Sequence, residues 1–183
     1  MKRCKWCNLE NPLYVKYHDE EWGKLNTNDS YLFEMLILES FQAGLSWECV
    51  LNKREAFKEA YDDFDIQKII HYDDKKIEEL RDNPKIIRNK LKIKASISNA
   101  KIFLDIQKEY TSFYNYLCTF THNKIIYEAH KTTSDLSDTI SKDLKKRGMK
   151  FVGSTIIYSY LQAIGIINSH EEDCFLYKSK VTQ

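Results

Sequence analysis

The sequence predicts an all-α fold. Five glycines and two prolines in 183 residues are too few for a turn-rich β architecture or for the glycine-rich connections of αβ folds. Despite twelve tyrosines, no stretch sustains a period-two alternation, whereas apolar residues recur at three- and four-residue spacing. At this length the chain forms one domain, or two small lobes sharing a core, and buries most of its apolar surface without disulfides.

Taken in order, the first 27 residues read as irregular and are rich in Trp, Tyr, Cys and His. A helix starts after Asn28 or Asp29, either a suitable cap, and runs to about Gln42. A second spans Ser46 to about Tyr61. DDFDIQKII predicts a short capped helix and DDKKIEELRDN another, with Pro84 as an interruption. LKIKASISNAKIFLDIQKEY has helical period, with Ile93, Ile97, Ala100 and Leu104 on one side. SFYNYLCTF predicts a short aromatic helix, and residues 122–134 a loop. Ser134 or Ser137 opens a helix through Lys146 that Gly148 ends in the C′ role, and Gly153 to Ile167 is the last long helix.

The net charge of +1 gives no global pull toward nucleic acid or a membrane, so any such binding rests on local charge separation. The start, MKRCKWC, has no apolar signal region, and no run approaches a membrane span. The expectation is a cytoplasmic protein. Its five cysteines then stay reduced, and paired Cys and His point to metal before disulfide.

On the 29–42 helix Leu32, Met35, Leu36 and Ala43 share a face, and Glu39 falls among them, while Glu34 lies opposite as a solvated residue. An unpaired buried carboxylate costs several kcal/mol or takes up a proton. Glu39 therefore has an internal partner or lines a cavity meant for a ligand. In FQAGLSW, Gly44 is either the left-handed cap of this helix or a place where something approaches the backbone too closely for a Cβ.

Cys4, Cys7 and His18 stand near one end of the chain, and His170 and Cys174 near the other, at a spacing that shares a face on a helix. Four ligands can come from Cys4, His18, His170 and Cys174, with Cys7 as a rival for His18. Four protein ligands close a site, making it structural.

Charge is segregated. Lys85, Arg88, Lys90, Lys92, Lys94 and Lys101 follow one another without an acid, and residues 142–150 add a second basic run. A phosphate-binding face requires such separation, although a run of lysines is also what a solvated surface looks like. The first run covers a helix, a break at Pro84-Lys85 and another helix. This is the outline of a helix-hairpin-helix unit at about 74–104, whose hairpin amides and following helix N-terminus can hold a DNA phosphate.

Cys4-x-Trp6, PLYVKYHDEEWG, LFEMLILESFQAGLSW, and KKRGMKFVGSTIIYSYLQAIGIINSH with a cysteine after three more residues, in this order, resemble the bacterial 3-methyladenine DNA glycosylases of the constitutive, type I class. The resemblance runs almost end to end. It implies a helix-hairpin-helix glycosylase-like helical body, two lobes around one cleft, and a structural zinc joining the two termini through Cys4, His18, His170 and Cys174. It implies a base pocket in which Glu39 accepts hydrogen bonds from the adenine edge, Tyr17 and Trp47 stack on the ring, and Trp6, Trp22, Tyr14 and Ser159 line the walls. Gln42, Gly44 and Leu45 would enter the gap left by the flipped nucleotide, and Lys85, Arg88 and Lys90 would contact duplex DNA. One departure stands out: Lys85 and Leu91 occupy hairpin positions where small residues are usual.

The implied activity is hydrolysis of the N-glycosidic bond of 3-methyladenine by a monomeric enzyme without a lyase step, leaving an abasic site and the free base. Methylation at N3 makes the base cationic and a good leaving group, so Glu39 is chiefly a specificity residue, and no water-activating residue is nominated. A zinc deaminase would need H-x-E together with P-C-x-x-C, and Cys4-x-x-Cys7 lacks the proline. A non-catalytic DNA-binding adaptor would account for the lysines but not for Glu39 among aromatic residues.

Overall fold

The computed structural model describes residues 1–178. Among these described residues ten helices and a pair of two-residue strands follow one another: α1 Pro12–Glu20, α2 Asp29–Gln42, α3 Trp47–Leu51, α4 Arg54–Ala60, α5 Ile66–Ile69, α6 Asp74–Asp82, α7 Lys90–Tyr110, α8 Phe113–Thr121, β1 Ile126–Tyr127, α9 Asp135–Lys146, α10 Ser154–Ala163 and β2 Ile167–Asn168. A 3₁₀ turn at Asp62–Phe64 precedes α5. The expected all-α character is thus what the chain adopts.

The caps are mostly those that the sequence marks. Asn28 accepts hydrogen bonds from the amides of Ser30 and Tyr31 and opens α2. Ser134 and Ser137 form a reciprocal capping box at α9. Gly148, at φ +100°, ends α9 just beyond its Arg147 cap.

Three elements differ from expectation. Residues 12–20 are helical: Asn11 caps the turn and Pro12 stands at its first position, where a missing N–H costs nothing. The helix expected over 46–61 is broken at Asn52–Lys53 into α3 and α4. The last helix stops at Ala163 rather than Ile167. Gly165, at φ +78°, turns the chain so that β2 can pair in parallel with β1, Ile126 opposite Ile167. A Cβ on Gly165 would lie 2.1 Å from the backbone carbon of Lys24, so close approach of the 24–25 segment also requires glycine there.

The core runs through the whole chain as one cluster from Cys4 to Cys174. Helix α2 sits at its centre: every residue from Met35 to Phe41 is buried. It packs against α7, α8, α10 and α3. Its first residue, Asp29, accepts from the amides of Phe113 and Tyr114 and from the Gln107 side chain, tying α2 to α7 and α8. Glu34 is not solvated as expected. It pairs at 2.7 Å with Arg54, which also binds Glu21, so the Arg54 side chain at the start of α4 covers this position of α2. Among the described residues no helix is long and apolar enough to cross a membrane.

Candidate active site and metal cluster

Because α2 is enclosed on nearly all sides, Glu39 in its last turn has no route to bulk solvent except a cavity. That cavity, about 290 Å³, is lined by Trp6, Tyr14, Tyr17, Trp22, Glu39, Gln42, Trp47 and Ser159. All the aromatic residues and the serine expected at a base pocket therefore meet around one space. Helix α1 supplies Tyr14 and Tyr17, the first turn of α3 supplies Trp47, and α10 supplies Ser159.

Glu39 is 2% exposed, and its Oε2 has no hydrogen-bond partner. No Lys or Arg among the described residues lies within ion-pair distance. Burial alone pushes its carboxyl well above the usual range, with no counterion to bring it down. Among the described residues five buried side-chain polar atoms lack partners, and four of them belong to residues lining this cavity: Glu39, Gln42, Trp47 and Ser169. Folded proteins satisfy nearly all such atoms, so their concentration here marks the cavity as a candidate binding site.

Tyr17 and Trp47 touch each other, with ring centroids 5.2 Å apart and planes inclined at 46°. They leave no room for a ring between them and form a corner rather than two jaws. Trp6 joins Tyr14 at 5.3 Å and Trp22 at 4.7 Å to make the other wall. The cavity is also lined by His130, Lys131, Gln162, Ser169 and Glu171, which the sequence reading did not include. Gln162 lies one helical turn beyond Ser159, so helical spacing marks it. The 128–131 segment reaches the cavity only through the β1–β2 pairing, for which two-residue strands leave no pattern.

Beyond α2 the chain forms a protruding loop. Gly44 has φ +80°, and a Cβ there would meet nothing within 4 Å. Within the protein, therefore, the conformation requires glycine, not close approach. Leu45 is 42% exposed, and Ser46 caps α3 through the amide of Cys49.

Helices α6 and α7 pack together and are joined by residues 83–89. None of residues 83–91 has positive φ, which removes the need for glycine where Lys85 and Leu91 stand. Asn89 accepts from the amides of Leu91 and Lys92, and Ile86 anchors the connection in the core. Arg88 is exposed and without an ion pair among the described residues, whereas Lys90 is held by Glu78 at 2.6 Å and Lys85 lies 3.9 Å from Glu59. Lys92 departs from the expected surface patch: it is buried.

At the chain ends Cys4, His18, His170 and Cys174 are all buried, and their ligand atoms lie within 4.8 Å of one another. The rival Cys7 lies outside this group, its thiol directed at the carbonyl of Tyr14. His170 and Cys174 are not on a helix; a turn closed by the Cys174 amide to the Glu171 carbonyl brings them together. Cys4 Sγ is 3.5 Å from His170 Nδ1, and Cys174 Sγ is 3.5 Å from His18 Nε2 and 3.6 Å from His170 Nδ1. Metal bonds of about 2.3 Å to sulfur and 2.0–2.1 Å to nitrogen at tetrahedral angles place such atoms roughly 3.6 Å apart. The remaining ring nitrogens are oriented by Asp19, at 2.8 Å from His18 Nδ1, and by the Trp22 carbonyl, at 3.2 Å from His170 Nε2. Donor set, spacing and orienting partners all fit a closed metal site. The cluster also abuts the cavity wall: Trp22 packs edge-on against His170 at 4.7 Å and Trp6 lies 5.3 Å from His18.

A helical body with a carboxylate held at an aromatic corner suits a flat, hydrogen-bonding, electron-poor ring. The methyladenine glycosylase family model matches residues 6–177. DNA-3-methyladenine glycosylase 1 of Escherichia coli (strain K12) is 40% identical over 183 residues, 97% of each chain. A crystal structure of 3-methyladenine DNA glycosylase I superposes with a TM-score of 0.92 at 41% identity, covering 97% of this chain and 100% of the other. A variant of 3-methyladenine DNA glycosylase I in complex with 3-methyladenine has a TM-score of 0.90 at 33% identity, covering 95% and 96%. The chain belongs to the methyladenine glycosylase family.

Proposed function

We propose that this chain is a DNA-3-methyladenine glycosylase that draws the damaged nucleotide out of the duplex, hydrolyses its N-glycosidic bond and leaves an abasic site. The observation that carries the reading is the unpartnered Glu39 carboxyl among the other unpartnered polar atoms of the cavity. A base inside the stack is beyond reach of such a cavity, so the nucleotide must be extruded. The cationic ring lies against the corner made by Tyr17 and Trp47, gaining stacking and cation–π attraction, and Trp6, Trp22, Tyr14 and Ser159 enclose it. Glu39 gives up its proton in exchange for charge-assisted hydrogen bonds from the base. Neutral adenine offers no charge to offset the buried carboxylate, a penalty of about 1–3 kcal/mol that favours the methylated base.

Glu39 binds and discriminates; the reaction also needs a leaving group that departs readily. Water adds at the sugar carbon as the base leaves with the bonding electrons, which neutralise the positive charge of the ring, and the proton lost by that water passes to solvent. Stabilising that cation before the step would slow it, so the rate comes from strain and solvation at the sugar. Among the described residues the carboxylates lining the cavity are Glu39 and Glu171, and the latter accepts from the Lys5 amide at 3.1 Å. Among the described residues the lysine lining the cavity, Lys131, is paired with Glu128 at 2.6 Å, which supports a monofunctional enzyme without an amine nucleophile.

Gln42, Gly44 and Leu45 fill the gap left in the stack, with Leu45 as the wedge. The helix-hairpin-helix unit at about 74–104 holds the backbone through its amides and through Lys85, Arg88 and Lys90. Zinc on Cys4, His18, His170 and Cys174 supplies a structural cross-link between the ends of the chain and has no part in bond cleavage. The chain works as a cytoplasmic monomer, one domain over 1–183 with two lobes around the cleft.

The test is chromatography of the products from methylated duplex DNA. Free 3-methyladenine together with unbroken strands bearing abasic sites supports the reading. Strand breakage at the lesion would rule out the monofunctional form, and no free base would overturn the assignment.

A further inference from the structure

We propose that Lys92 is a positioning residue that locks the protruding loop at residues 42–46 to the N-terminus of α7. The inference rests on reading that loop as the element that enters the duplex. The Lys92 side chain crosses from the first turn of α7 to the end of α2, where its Nζ donates to the carbonyls of Phe41 at 2.8 Å and Ala43 at 2.5 Å. These are orphan carbonyls at the negative end of a 14-residue helix, where a cation is most favourable. The residue is 7% exposed, its ammonium lies 5.9 Å from the Phe151 ring, and no carboxylate among the described residues pairs with it.

A buried cation without a counterion is expensive and persists where its contacts do something else. The loop has little to hold it otherwise. Gly44 packs against nothing, residues 44–46 are exposed, and the main internal tie is the Leu45 amide to the Gln42 carbonyl. Meanwhile the Lys92 amide is bound by Asn89, the last residue of the α6–α7 connection. One residue thus joins the hairpin, through its backbone, to the insertion loop, through its side chain. A wedge displaces a base only if it does not bend away when pushed, and Lys92 supplies that stiffness.

The experiment uses the full metal-loaded chain and the variant Lys92→Met, which keeps the length and apolar stem but removes the donor. Three quantities are read: amide hydrogen exchange at residues 43–46, single-turnover excision from methylated duplex and from methylated single-stranded DNA, and affinity for free 3-methyladenine. The expected result is faster exchange in the loop and a loss of roughly 10- to 100-fold in duplex excision, the scale of a charged hydrogen bond. Single-stranded excision and free-base affinity should stay within a few-fold of wild type. Unchanged loop exchange, or an equal loss on both substrates, would overturn the proposal. If Lys92→Met fails to fold, Lys92→Arg decides. Retained loop protection and retained duplex preference support the role, and loss of duplex preference with the loop still protected contradicts it. Leu45→Ala separates the underlying reading: if that variant excises from duplex normally, the loop is not a wedge, while the exchange measurement still judges Lys92.

Discussion

Glu39 is placed where a carboxylate is least comfortable, and its cost should be measurable without any substrate. Burial raises its folded-state pKa, whereas the unfolded chain keeps the ordinary value of 4.5. The folded protein therefore binds the proton more tightly, and stability falls as pH rises from about 4.5 toward the folded value. Glu39→Gln removes that loss. Thermal unfolding should show the variant more stable than wild type by about 1–3 kcal/mol at neutral pH, a gain of about 2–4 °C per kcal/mol, that vanishes on acidification. An equal or lower melting temperature at neutral pH would mean that the carboxyl has a partner. The position of Glu39 among apolar residues was legible in the sequence because helical period alone puts it there. The opposite face was not: Glu34 looks solvated until Arg54 arrives from another helix, a pairing that spacing cannot show.

Helix ends govern how the elements meet, and the sequence marks those ends unevenly. Asn28, Ser134 and Gly148 are local signals and were readable. Asn11-Pro12 is an equally local signal, but the mixed polar and aromatic pattern of α1, split between the cavity and the metal cluster, hides its period. The end of α10 is set from outside. Its apolar run continues past Ala163, yet the chain must turn at Gly165 to pass the 24–25 backbone and reach β1. Gly165→Ala would combine left-handed strain with a direct backbone clash, a cost of about 2–5 kcal/mol. Denaturant unfolding should register that loss. A change below about 0.5 kcal/mol, the scale of a neutral surface substitution, would show that this approach is not as tight as it stands.

Across the molecule, the cluster of Cys4, His18, His170 and Cys174 does more than join the ends, because the His18 and His170 rings back the Trp6 and Trp22 wall. The ligand pairs themselves were visible in the sequence; spacing left Cys7 as a rival, the family resemblance chose His18, and the fold brings His18 into the cluster. Burial raises the Cys4 thiol and lowers His170 to about 4. His170→Ala should abolish bound zinc, lower the melting temperature by several degrees and weaken 3-methyladenine binding a few-fold. Metal analysis with fluorescence titration checks this, and a folded wild type free of zinc would refute the staple. The most direct test of the whole reading is single-turnover excision of 3-methyladenine from methylated duplex by wild type and Glu39→Gln, at enzyme concentrations below saturation where the rate includes base binding, with folding and zinc content matched. A loss of about tenfold or more in the variant, on the scale of one charge-assisted hydrogen bond, is expected. Equal excision by the two proteins would show that the buried carboxylate does not hold the base.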